Sequence, residues 1–157
     1  MTLPHRLEQT LIMVAELCGS AADPWWIIGS AAVALHGAPV DDGRDIDLLM
    51  SGGDARAALS RVGVQPDAGT ATNLFRSATF GTWNGPPLPV EIFGDFEFAR
   101  PSGWTRVAPR TREPVAIGDQ TLFVPAAAEL KDILIAFGRP KDLARAGLIE
   151  QSGTARR

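Results

Sequence analysis

Trp25-Trp26-Ile27-Ile28-Gly29-Ser30 and, after fourteen further residues, Asp45-Ile46-Asp47-Leu48-Leu49-Met50 form the most informative stretch of this chain. Each contains a short unbroken apolar run, the form a buried strand takes. Gly29 permits close backbone approach at the end of the first run, and Ser30 is the expected N-cap of a small-residue helix, Ala31 to His36, closed by Gly37. The open amides of such a helix start form an anion site suited to a triphosphate. In the second run alternate side chains share a face, so Asp45 and Asp47 point the same way while Ile46 turns inward. Their backbones lie roughly 7 Å apart, close enough for both carboxylates to converge on a hard divalent cation. Two acids beside a buried sheet need a counter-charge. Magnesium bridging to a nucleotide's phosphates supplies it, and neutralises the charge that develops in phosphoryl transfer. A third acid is expected from a neighbouring strand. Glu91, in Pro89-Val90-Glu91-Ile92-Phe93, is the first candidate, and Asp95, on the same face of a regular strand, is the second.

Outward from this stretch the chain alternates helical and extended patterns. Leu3, Leu7, Leu11, Val14 and Cys18 recur three or four apart, one apolar stripe of an amphipathic helix that ends at Gly19-Ser20. Pro39 to Gly43 reads as a polar loop, and Asp54 as the cap of a helix over Ala55 to Val62. Thr72 to Phe80 and Leu88 to Phe98 read as strands joined by the turn-rich segment Gly81 to Pro87. Ala99 to Glu113, with Arg100, Arg106, Arg110 and Arg112, reads as an exposed loop. Gly118-Asp119-Gln120 between Val115-Ala116-Ile117 and Thr121-Leu122-Phe123-Val124 signals a hairpin. A helix follows Pro125, with Leu130, Ile133, Leu134 and Phe137 on its apolar face. Gly138-Arg139-Pro140 breaks it before a last short helix, Lys141 to Gln151, and a frayed tail over 152–157. The class is α+β or α/β.

A length of 157 residues with 45% apolar and 21% charged residues predicts one globular domain over 1–157. The formal charge of −3, from 15 basic and 18 acidic residues, argues against bulk electrostatic binding to nucleic acid or anionic lipid. A single cysteine, Cys18, excludes an internal disulfide and a cysteine-based zinc site. No apolar run approaches the roughly 20 residues that span a bilayer. The expected setting is cytoplasmic, with no membrane partner.

On Ile28-Gly29-Ser30, on Arg44-Asp45-Ile46-Asp47-Leu48-Leu49 and on Glu91 in its apolar strand, the chain resembles the nucleotidyltransferase superfamily that includes DNA polymerase beta. The likeness is to its small bacterial members: minimal nucleotidyltransferases, abortive-infection type toxins and antibiotic nucleotidyltransferases. It covers a core of about 25–148, most of the chain. Lys131 on a late helix and Gly138-Arg139-Pro140-Lys141-Asp142 are similar to the abortive-infection type. The resemblance implies a mixed central sheet flanked by helices, with a helical C-terminus. It implies two magnesium ions, with manganese as a substitute, held by Asp45, Asp47 and Glu91. Gly29, Ser30, Arg44, Lys131 and Lys141 would bind the nucleoside triphosphate (NTP). Glu91 would activate an acceptor hydroxyl, which takes nucleoside monophosphate as pyrophosphate leaves. The interval before Asp45 is longer than in compact members, and the third acid is glutamate where the family usually has aspartate. The alternative is a non-catalytic module on the same fold, such as a toxin–antitoxin component. The acceptor stays open among a small molecule such as an antibiotic, a protein and a tRNA, as does the choice between a homodimer and a partner protein.

Other residues have plainer expectations. Arg44 either steadies phosphates or pairs with Asp41 or Asp42, and Lys131 and Lys141 are the only lysines. His5 and His36 read as exposed or structural, Cys18 as a small core residue, and Trp25 and Trp26 as packing residues. Glu129-Leu130-Lys131 has the spacing of a nuclease Glu-x-Lys, but on a helix residues two apart face away from each other.

Overall fold

The structure, a computed structural model, describes residues 3–39, 45–67 and 72–155, with side chains through residue 151. Helix α1 (His5–Leu17) buries Leu7, Leu11, Val14 and Leu17, so the apolar stripe faces inward as its spacing requires. A 3-10 turn at Cys18–Ser20 ends it. Strand β1 (Trp26–Ile28) passes directly into α2 (Gly29–Leu35), and β2 (Ile46–Met50) leads to α3 (Gly52–Arg61). Strands β3 (Phe75–Trp83), β4 (Val90–Arg100) and β5 (Gly103–Arg106) follow. The hairpin β6 (Glu113–Ile117) and β7 (Gln120–Val124) turns through Gly118, whose φ of 58° suits a tight turn. Helices α4 (Ala127–Phe137) and α5 (Pro140–Ala155) complete the chain, with Gly138 at φ 75° closing the first. This is an α+β fold with a helical C-terminus. Among the described residues no helix is long and apolar enough to cross a membrane.

The main sheet has the order β1-β2-β4-β3, with β5 against β4. Strand β2 runs parallel to β4, pairing Asp47 with Glu91, and antiparallel to β1, pairing Asp47 with Ile28. Beyond the end of β2, the second half of β4 pairs with β5, from Glu97 opposite Arg106 to Arg100 opposite Gly103. The larger apolar core gathers Leu11, Val14, Leu48, Leu59, Ile92 and Leu130. A second cluster of Ile28, Leu49, Phe96, Phe98 and Val107 is extended by Phe75, Phe93 and Phe137.

Where β4 changes neighbours, Asp95 takes φ 52° and inverts the pleat. Phe93 and Phe96 therefore join one cluster although three residues apart, with ring centroids separated by 4.8 Å. Helix α3 lies close over this point. A Cβ added at Gly94 would meet the Ala55 Cβ at 2.8 Å and the Gly52 Cα at 3.1 Å.

Several local expectations are corrected. Helix α3 starts at Gly52, and its cap is Ser51, whose hydroxyl accepts from the Asp54 amide at 3.3 Å. The Asp54 carboxylate instead accepts from the Ala22 and Asp23 amides at 3.0 and 2.8 Å. The segment 99–113 is not one loop, because it contains β5 and the start of β6. Helix α5 runs on to Ala155, past the expected end at Gln151.

Candidate active site

A cavity of about 490 Å³ lies between one face of the main sheet and helices α4 and α5. Acids occupy one end. Asp47 on β2 and Glu91 on β4 stand side by side in the parallel ladder, and Asp45 immediately precedes β2. Glu91 comes within hydrogen-bonding reach of both Asp45 and Asp47. Asp47 keeps part of its surface open to the cavity, yet the surrounding protein pushes its pKa up to about 7. Burial is the main cause, and the charges of Glu91 and Asp45 add to it, opposed by Arg145 and Lys141. Glu91 is also raised, first by burial and then by its hydrogen bond with Asp45. Asp45 thus raises both of its neighbours, and Glu91 raises Asp47, whereas Asp47 acts on Glu91 in the opposite sense.

Gly29 lines the same end with φ 68°, and a Cβ there would run into the Asp47 carboxylate. Glycine is thus required both by the backbone and by the acid it faces. Ser30 lines the cavity but is not the cap. Helix α2 begins at Gly29, two residues earlier than expected, so the cap position falls to Ile28, with no side-chain cap hydrogen bond.

Helix α5 supplies the opposing charge. Lys141 and Arg145 line the cavity, and both lower the pKa of Asp47. Between them Asp142, 0% exposed, accepts from the Arg139 Nε at 2.6 Å and Nη2 at 3.0 Å, and lies 3.9 Å from the Arg145 Nη1. A fully buried carboxylate survives only when so partnered. Its effect is to fix two guanidinium groups on the cavity wall.

The other candidate residues lie elsewhere. Asp95, with its inverted backbone, caps α3 from the sheet, accepting from the Gly52 amide at 3.0 Å and from Arg106 at 3.1 Å. Of the two third-acid candidates, it is Glu91 that joins Asp45 and Asp47. Lys131 does not line the cavity and pairs with Glu150 at 3.2 Å. Arg44, with Asp41 and Asp42, lies outside the described residues. The His36 ring contacts the Pro125 carbonyl at 2.7 Å, and burial pushes the Cys18 thiol up to about 12, both structural roles. Arg112 donates to the Trp25 carbonyl at 3.2 Å and sits 3.5 Å from the centre of the Phe123 ring, so it belongs to packing.

Asp142, Arg139 and Arg145 had no assigned role in the sequence reading, although their three-residue spacing places them on one helix face. The aromatic wall of Phe75, Phe80, Phe93, Phe96 and Phe137 was also missed. It depends on the inverted pleat at Asp95, which no spacing rule anticipates.

No family model matches the sequence, and no curated protein does. Solved structures do match. A Thermotoga maritima protein described as a nucleotidyltransferase has a TM-score of 0.71 at 21% identity, over 99% of this chain and 93% of that one. The antibiotic-resistance factor ANT(2'')-Ia has a TM-score of 0.60 at 15% identity, over 95% of this chain and 87% of that one. An antigenic nucleotidyltransferase-like protein from Paracoccidioides brasiliensis has a TM-score of 0.52 at 16% identity, covering 94% and 75%.

Proposed function

From the premise that this chain has the nucleotidyltransferase fold, we propose that its cavity binds an NTP with divalent metal and transfers nucleoside monophosphate to a hydroxyl acceptor. The observation that carries this reading is the pairing of Asp47 with Glu91 across the parallel ladder, with Asp45 in contact and Gly29 facing them.

Among the described residues no three such side chains stand ready in a metal-holding geometry. The donor set nevertheless suits magnesium. It is all oxygen and crowded with like charge. Asp45, Asp47 and Glu91 would hold the ion, which supplies charge neutralisation on the phosphates when bound.

The chain's own groups have separate tasks. Lys141 and Arg145, facing the acids across the cavity, bind the phosphates that leave as pyrophosphate. Asp142 keeps Arg139 and Arg145 in place. Gly29 lets the phosphates approach the backbone closely. Glu91 accepts the proton of the acceptor hydroxyl on a carboxylate oxygen as the hydroxyl oxygen bonds to the α-phosphorus and the bond from the α-phosphorus to the pyrophosphate oxygen breaks.

The test is incubation with each of the four NTPs labelled at the α-phosphate, with magnesium and a cell extract. One or more molecules should become labelled by the wild type, and none by Glu91→Gln. If NTP binds but no label moves under any condition, the non-catalytic binding module replaces the transferase. If NTP does not bind, both fall.

A further inference from the structure

Helix α4 carries α5 and its cations over the acids, and it is tied to the sheet layer at both ends. At its C-terminal end the Phe137 ring meets Phe75, Phe98 and Phe96, with centroids 5.0, 5.4 and 6.1 Å away. The tie at its N-terminal end is polar and comes from residues 107–112, the link between β5 and β6. The Arg110 and Thr111 amides each donate to the Glu129 carboxylate at 2.8 Å, and the Thr111 hydroxyl donates to it as well. The same hydroxyl accepts from the Ala126 amide at 2.8 Å. On its other side the link holds β1. The Trp26 indole donates to the Thr111 carbonyl at 2.9 Å, and the Arg112 Nε donates to the Trp25 carbonyl at 3.2 Å.

This arrangement does more than end a helix. Glu129 is the third residue of α4, where in a capping box it would reach back to the amide of the cap residue, Ala126. Here the Thr111 hydroxyl takes that amide, and Glu129 reaches outward to the link instead. The amide, hydroxyl and carbonyl of Thr111 together bridge α4 and β1. Strand β1 runs directly into Gly29, which faces Asp47. Helix α4 runs about 12 Å from Glu129 to Phe137. It turns at Gly138, and α5 packs back on it with Lys141 and Arg145 on the cavity wall. Neither Glu129 nor Thr111 lines the cavity, yet their clasp joins the two layers that do. Leu130 and Leu134 hold α4 by apolar packing, which is non-directional, whereas the hydrogen bonds of the clasp fix where the helix sits.

We propose that Glu129 and Thr111 are positioning residues for the triphosphate: their clasp sets the seat of α4 on the sheet layer, and through it the distance from the α5 cations to the three acids. The inference rests on the NTP reading above and deepens it. The acids belong to the sheet and do not depend on the clasp. The span between acids and cations, which a metal–triphosphate must bridge, does.

The experiment measures two affinities on the full chain: manganese without nucleotide, and ATP with magnesium. Thr111→Val keeps the shape and removes the hydroxyl, Glu129→Gln keeps the size and removes the charge, and Thr111→Ser keeps the hydroxyl. The first two should weaken ATP by about tenfold and leave manganese within about twofold of the wild type. Thr111→Ser should bind ATP as the wild type does. Wild-type ATP affinity in folded Thr111→Val and Glu129→Gln would overturn the inference and reduce the clasp to a helix cap. Equal loss of manganese and ATP would also overturn it, since the disturbance would then lie in the acids. Hydrogen exchange on the wild type decides the matter if the variants fail to fold. Coupling is reciprocal, so ATP with magnesium should slow exchange at the Arg110 and Thr111 amides, and unchanged exchange there would overturn the inference. If the wild type does not bind ATP, the NTP reading itself falls, and this inference with it.

Discussion

Asp47 sits where two requirements of the chain conflict. The sheet buries it, and its neighbours in the ladder are acids, so as a lone carboxylate it holds its proton up to about pH 7. In the unfolded chain the same group ionises near pH 4. Between those values the folded state binds more protons than the unfolded one, so this residue's contribution makes stability fall as pH rises from about 4 to about 7, and level off above. Glu91, raised as well, adds a slope of the same sign. With divalent cations chelated, Asp47→Asn should therefore gain stability relative to the wild type across that window, with the two closest at the acid end. Urea midpoints measured at several pH values check this. A constant difference between the two proteins would contradict it. At this scale the acids were legible in the sequence because an alternating strand leaves little choice about which side chains share a face. Asp95 was misplaced for the opposite reason: one residue at positive φ cancels the alternation beyond it.

At the scale of elements, helix α3 is held against β3 and β4 by the absence of a side chain at Gly94. Asp95 reinforces the contact by capping the helix from the sheet. Gly94→Ala should lift α3 from β4 and cost about 2 kcal/mol, within the range for overpacked cores. A thermal or urea melt measures it, and an unchanged midpoint would show that the helix moves without resistance. The long periodic helices α1 and α4 and the β6–β7 hairpin were readable, since their apolar spacing or turn residues declare them. Strand β5 was not. Its residues Gly103–Arg106 are mostly exposed, and their pairing is set by β4 across the hairpin and not by their own composition.

On the scale of the whole molecule, the acids and the cations reach the cavity from opposite layers, the sheet and helix α5. Neither layer alone is a site. That is why the sheet half, with Gly29, Asp45, Asp47 and Glu91 close in register, could be assembled from sequence. Of the helical half only Lys141 was read, alongside Lys131, which lies elsewhere; Arg139, Asp142 and Arg145 were not, since the packing of α5 on α2 and α4 brings them to the cavity. The net charge of −3 conceals this polarity. The central claim is that the three carboxylates and the cations of α5 together bind a metal–NTP complex. Calorimetric titration of NTP into the wild type and into Asp45→Asn/Asp47→Asn, with magnesium present, tests it most directly. The account predicts saturable binding by the wild type and none by the double variant, while that variant stays folded at pH 7. Equal binding by both proteins would contradict it.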